Sequence, residues 1–551
     1  MNHSERIFGS LHPFLETGPV LGRIVANEGF FKALLSLDPF DSYVFFLHNP
    51  KALDSSLSSY DLPAIRRGSV FVHPQQDLIP ALQDTKFYCF HLADPLCDQT
   101  SLAFVRNRLS KTLFPITSVP HSLSYHVYVQ DFLQEIWAGT SPRDVICATS
   151  HAAIDVLTCY YESLKKNYQL PETWQEPALR LLPLGVDVDR FSPPSPTERE
   201  TMRNTLGLRT EQVVLLAHGR ITVDDKMDLL PLLYAIKRVV TEPSPPQILL
   251  MVSGKIREND SYPRVIEASA KALGIELRLF PDPDAKTLET LYGAADIFVS
   301  PSDNLQETFG LTILEAQSMG LPVIASDWDG YRDLVVQNET GFLIPTYAPE
   351  QTPYLDVLGQ ILPENIHQLL RAQETVVDVK AMANALSTLS KDIALRRRMG
   401  KKGRVHMCEH YSWQQCVERW LSLIEELWAI PISSEEENRL RTAPHPSFLS
   451  FATLFAQHPK HRAGDAFLTR RLKLSEHGRN VLRKKEVAVT WNSLDLLMHG
   501  INVEKLLTLS RNSICIASLM QRMAEKSLSD EQLLFAILWA LKHDLLEFDA
   551  L

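Results

Sequence analysis

The stretch DIFVSPSDNLQETFGLTILEAQSMGLPVIA, residues 296–325, decides how the rest of the chain is read. An apolar run over Asp296–Ser300 has strand composition, and Pro301 and Ser302 open a polar loop after it. Gly310 permits close approach of backbone to a ligand. A helical pattern follows over Thr312–Met319, and its start near Leu311 points free N–H groups and a positive dipole end into the loop. That is an anion site of a size suited to a diphosphate. Glu307 stands before the helix and Glu315 about one turn inside it, and each carboxylate can accept two hydroxyl hydrogen bonds.

Working outward, the same strand–helix alternation fills most of the chain. Strands are predicted at Gln212–Ala217, Ile248–Ser253, Ile275–Phe280, Val323–Ser326 and Phe342–Pro345, with helices at Met227–Val240, Pro263–Leu273 and Ala285–Gly293. Upstream, strands are predicted at Tyr43–Leu47, Val70–His73, Phe87–His91, Pro115–Val119, Asp144–Ala148 and Arg180–Leu184, with helices at Pro19–Leu35 and Ala152–Lys166. This pattern predicts two parallel-sheet α/β domains facing a cleft. Pro193, Pro194 and Pro196 fall near the join, where neither a helix nor a central strand continues. After Pro345 the chain turns helical, at Val376–Lys391, Ala394–His410 and Trp413–Ala429. The expected organisation is a first domain over 1–190, a second over 191–410, a helix crossing back over 411–432, and an extension over 433–551. That extension reads as helical or winged-helix-like, with a strand-like run at Val487–Thr490 and an apolar helix at Leu533–Phe548.

At 551 residues the chain is long enough for two or three domains. Its 45% hydrophobic and 22% charged residues describe a globular protein. A formal charge of -11 argues against broad nucleic-acid binding, which needs a basic face. Local clusters such as Arg106, Arg108 and Lys111, or Arg470, Arg471 and Lys473, read as solvated faces. The seven cysteines show no paired spacing and no zinc motif. No signal peptide or bilayer-spanning run is legible, so a cytoplasmic location is expected.

At this point the residues resemble a known family. The Glu-x7-Glu spacing of Glu307 and Glu315, framed by Ala295-Asp296, by Gly320 to Ala325 and by Thr340-Gly341, resembles glycosyltransferase family 4 of the retaining GT-B class. Pro183 to Asp187, with Asp189-Arg190-Phe191, is similar to that family's inter-domain segment. Gly219-Arg220, with Lys226 after it at a slightly longer gap, resembles the basic pair that holds the donor diphosphate; a solvated Arg and Lys is the plain alternative.

The resemblance implies a metal-independent transfer from a nucleotide-diphosphate sugar, UDP- or GDP-linked, with no other cofactor. Glu315 would bind the ribose, and Glu307 with the Phe309, Gly310 and Leu311 backbone would grip the sugar. Arg220 and Lys226, beside Gly219, would neutralise the diphosphate. Gly18, in Glu16 to Pro19, would face phosphate, although many members carry a richer glycine loop there. His121 would lie near the donor sugar, with His126 as its rival. The acceptor, whether glycan, lipid, protein or small molecule, would arrive from the first-domain side. Peripheral membrane contact through that domain stays open. A sugar-nucleotide epimerase and a non-catalytic nucleotide-sugar-binding scaffold are the competing readings. Asp282-Pro-Asp284 and Asp187-Val-Asp189 mimic a metal-binding Asp-x-Asp, but neither has its surroundings, and no metal is expected.

Overall fold

The computed structural model describes residues 5–16, 22–94, 98–525 and 528–549. Residues up to Ser447 form one compact unit and those from Phe448 a second.

The first unit holds two parallel sheets. One contains β1 (Ile7–Ser10), β2 (Ser42–Leu47), β3 (Val70–Pro74), β4 (Cys89–Leu92), β5 (Ile116–Ser118), β6 (Asp144–Ala148) and β7 (Ala178–Leu181), in the order β3-β2-β1-β4-β5-β6-β7. The other contains β8 (Val213–His218), β9 (Ile248–Gly254), β10 (Glu276–Pro281), β11 (Ile297–Ser300), β12 (Val323–Ser326) and β13 (Gly341–Ile344), in the order β10-β9-β8-β11-β12-β13. Their strands are near-continuous apolar runs because helices cover both faces. Strand order reverses beside β1 in the first sheet and beside β8 in the second. At such points successive crossovers leave in opposite directions and open a crevice beyond the strands' carboxyl ends.

The central strand β1 is absent from the sequence expectation. Ile7-Phe8-Gly9-Ser10 is too short for a periodic signal, and it follows charged Arg6. Burial on both faces makes it a strand: all four residues are buried, and β1 pairs with β2 and β4.

The two domains are stitched where the chain crosses back. Val186 N donates to the Tyr411 carbonyl at 2.8 Å and Trp413 N to the Val186 carbonyl at 3.3 Å. The helix Trp413–Ala429 then packs on the helix Gly22–Leu37. Trp413 lies so close to Gly29 and Gly185 that a Cβ at either would meet its indole ring.

The first unit runs beyond the expected break at Ser433. That serine caps the helix Ser434–Thr442, accepting from Glu436 N at 3.1 Å. Arg441 then donates to the Ser110 carbonyl at 2.9 Å, and Arg108 to the Ala443 carbonyl at 2.7 Å. The expectation of a solvated face over Arg106, Arg108 and Lys111 is corrected for Arg106, whereas Arg108 and Lys111 are exposed. Arg106 is fully buried and forms a bidentate pair with buried Asp144, while Arg108 lies over the Phe104 ring at 3.5 Å. Helical spacing shows a charge but not the carboxylate on β6 that neutralises it.

The second unit is helical around a small antiparallel sheet, with Arg471–Leu474 between Ile514–Cys515 and Leu546–Phe548. Val487–Thr490 is not a strand. The apolar helix spans Asp530–Lys542 and stops short of Phe548. Asp544 takes a left-handed φ of 53°, which turns the chain so that Leu546 returns into the core as a strand. No described helix is long and apolar enough to cross a membrane.

Candidate active site

A cleft of about 1390 Å³ opens between the two sheets of the first unit, lined from both domains. On the second-domain side it sits at the strand-order reversal, so the loops after the neighbouring strands β8 and β11 meet there. The first carries Gly219, Arg220 and Lys226; the second carries Glu307, Phe309 and Gly310. Leu311 and Glu315 follow on the helix Leu311–Ser318.

Two glycines make the meeting possible. Gly219 has a φ of 153°, and a Cβ there would come within 2.9 Å of the Lys226 side chain. Gly310 has a φ of 115° as the N-cap of the helix, and a Cβ there would lie 2.6 Å from the Tyr331 ring. Gly310, Leu311 and Thr312 line the cleft at this helix start, while Ile313 N already donates to the Gly310 carbonyl at 2.9 Å.

Lys226 Nζ donates to Glu307 Oε2, with the two side chains only 13% and 12% exposed. Tyr331 Oη donates to the same oxygen at 3.0 Å, and Phe309 N approaches Oε1 at 3.4 Å. Burial alone would raise the Glu307 pKa. The Lys226 charge and these hydrogen bonds outweigh it and hold the carboxyl below its ordinary range. Glu315 accepts from Tyr292 Oη at 2.8 Å, and burial pushes its pKa up to about 7.

Arg220 donates to Asp225 Oδ2 at 2.6 Å and to the Asp225 carbonyl at 3.1 Å. Arg257 binds Asp225 too and reaches Asp224 at 2.5 Å. The two arginines and two aspartates hold the guanidinium at the cleft edge.

His121 lines the cleft from the first domain, its Nε2 2.9 Å from Asn27 Oδ1. Burial, with the nearby Arg23 charge, lowers its pKa to about 3, so the imidazole is neutral near pH 7. Its carbonyl accepts from Thr308 Oγ1 at 3.2 Å, and the Thr308 carbonyl accepts from Ser150 Oγ at 2.9 Å. The loop bearing Glu307 is therefore fastened to the first domain. His126 instead packs against His367, the rings tilted by 46° with centroids 4.6 Å apart. Gly18 lies outside the described residues.

The structure thus brings His121, Gly219, Arg220, Lys226, Glu307, Phe309, Gly310, Leu311 and Glu315 to one cleft. Tyr331, Tyr292, Asp225 and Arg257 escaped sequence reasoning. Only the Asp329-Gly330-Tyr331 turn after β12 hinted at the first of them. The two Asp-x-Asp pairs have local tasks. Asp284 caps the helix Ala285–Ala294 by accepting from Thr287 N at 2.7 Å, and Asp187 Oδ1 accepts from Arg190 N at 3.0 Å. Among the described residues, no group of three or more His, Cys, Asp or Glu side chains is placed to hold a metal ion.

Comparison with known proteins bears on the family and the fold. Residues 198–353 match the family model of glycosyl transferases group 1. The D-inositol 3-phosphate glycosyltransferase of Xylanimonas cellulosilytica is 32% identical over 192 residues, covering 34% of this chain and 43% of its own. The same-named protein of Geodermatophilus obscurus is 38% identical over 173 residues, covering 31% and 37%. The chain therefore spans less than half the length of these relatives. Among solved structures, a glycosyltransferase of Rickettsia africae superposes with a TM-score of 0.53 at 14% identity, over 78% of this chain and all of its own. Anabaena HepE, solved with UDP and glucose, gives 0.53 at 14% over 77% and all of its own. Sucrose-phosphate synthase of Thermosynechococcus elongatus gives 0.52 at 18%, with the same coverage. Residues 198–353 thus match the group 1 glycosyltransferase family, and the two-domain unit that contains them has the GT-B fold.

Proposed function

We propose that this protein is a retaining glycosyltransferase that moves a sugar from a nucleotide-diphosphate donor, UDP- or GDP-linked, to a hydroxyl acceptor, without a metal ion. The observation that carries this reading is the Lys226–Glu307–Tyr331 cluster, set beside Arg220 and a cleft-lining helix N-terminus at the strand-order reversal.

Each group has a chemical task. The first-turn N–H groups at Leu311 and the cations of Arg220 and Lys226 meet the diphosphate. As the anomeric C–O bond breaks, negative charge grows on the leaving phosphate oxygen, and these fixed cations stabilise it. Lys226 is already poised against Glu307, so the diphosphate competes for a lysine held in place. Glu307 is kept ionised and accepts hydrogen bonds from the sugar hydroxyls. Glu315 accepts from the ribose. The acceptor enters along the first-domain wall near His121, whose neutral ring presents a hydrogen-bonding group without adding charge. Closure over the cleft excludes water, which otherwise intercepts the sugar.

Calorimetric titration with UDP, GDP and ADP, with EDTA present, tests the donor site. One nucleotide is expected to bind, and Glu315→Ala to weaken it at least about tenfold by removing charged hydrogen bonds to the ribose. Binding of none of the three, or binding only with a divalent cation, would contradict the proposal.

A further inference from the structure

Outside the cleft, one surface of the second unit combines features that a purely structural role leaves unexplained. Residues 448–551 carry fourteen Lys and Arg against eleven Asp and Glu, although the whole chain is at -11. The excess is concentrated at Arg483, Lys484 and Lys485, at the end of the helix Glu476–Leu482. All three are exposed, and among the described residues none forms an ion pair. The next residue, Glu486, offsets only one of the three charges, and its carboxylate is turned to His477 Nδ1 and to Asn480 Nδ2, the latter at 2.8 Å. Immediately beyond lie Val487, Val489 and Trp491, which are 81%, 60% and 65% exposed.

Apolar side chains are ordinarily buried on folding, so leaving three of them in water within nine residues needs a cause. We propose that residues 483–491 form a docking surface for an anionic lipid membrane. Lysine and arginine are drawn to a negatively charged leaflet, and an indole ring settles at the headgroup level, where one edge is wet and the other apolar. The valines select between partners. A nucleic acid also takes cations and an aromatic ring, but it has no use for two exposed aliphatic side chains, whereas the headgroup–acyl boundary does. This surface is distinct from the cleft and does not depend on the glycosyltransferase reading.

The test is flotation of the full chain with vesicles of phosphatidylcholine alone or with about one-third phosphatidylglycerol. The chain should float with the anionic vesicles only, and about 0.5 M salt should weaken binding. Lys484→Glu with Lys485→Glu should reduce partitioning by at least about 30-fold. Trp491→Ala with Val487→Asp should reduce it while preserving the circular dichroism spectrum and donor binding. Three results would overturn the proposal: no flotation with anionic vesicles, wild-type binding by both double variants, or binding to a single-stranded oligonucleotide that displaces the vesicles.

Discussion

Glu307 keeps its charge although burial opposes it, because Lys226 and Tyr331 share one of its oxygens. Tyr331→Phe removes one hydrogen bond to that charged oxygen but keeps the ring beneath Gly310. A hydrogen bond to a charged group is worth about 1.5–3 kcal/mol, so kcat/KM should fall roughly 10- to 100-fold with little change in melting temperature. Glu315 has the opposite tendency, its pKa raised to about 7. Its folded pKa lies above the unfolded value, so the folded state binds the extra proton between the two. This contribution to stability is lost as pH rises toward and through 7. Ribose binding uses the ionised form, so donor affinity should weaken as pH falls below about 7, and Glu315→Gln should flatten that profile in a titration series. The glutamates, Gly310, Arg220 and Lys226 were legible because they lie in short framed motifs. Tyr292, Tyr331 and Asp225 were not, since nothing in local spacing reveals which phenol or carboxylate the fold will bring alongside.

Among the elements, apolar period located most helices and strands, but it did not mark where tertiary contacts begin or end them. The helix Trp413–Ala429 was legible to the residue, whereas β1, with four residues, becomes a strand only because β2 and β4 flank it. The Leu533–Phe548 run looked like one helix because apolar periodicity does not register the left-handed turn at Asp544. The crossing helix rests on absent side chains. A Cβ at Gly185 would lie 2.7 Å from the Trp413 Cα. Backbone cannot yield as a flexible side chain can, so Gly185→Ala should lower stability by about 1–3 kcal/mol in denaturant unfolding. The pair between the helix Gln99–Leu109 and β6 is more costly to break. Asp144→Asn leaves the Arg106 charge buried and uncompensated, and a loss of about 3–5 kcal/mol is expected.

At the scale of the whole molecule, two parallel sheets with facing strand-order reversals create the cleft, and the alternating pattern made that architecture legible. The end of the two-domain unit was not. Ser433-Ser434 followed by three glutamates reads as a hinge, yet the contacts of Arg441 and His445 with the first domain carry the unit to Ser447. Truncation after Ser447 should therefore leave a folded, nucleotide-binding protein, while truncation after Ile432 strips that cover and should lower its melting temperature.

Incubating the full chain with a panel of UDP-, GDP- and ADP-sugars in EDTA and measuring nucleoside diphosphate release, with Glu307→Ala in parallel, tests metal-independent sugar transfer at this cleft. One donor should be consumed, release should persist in EDTA, and the variant should be silent while still folded. Release that vanishes with EDTA, or that Glu307→Ala leaves unchanged, would contradict it.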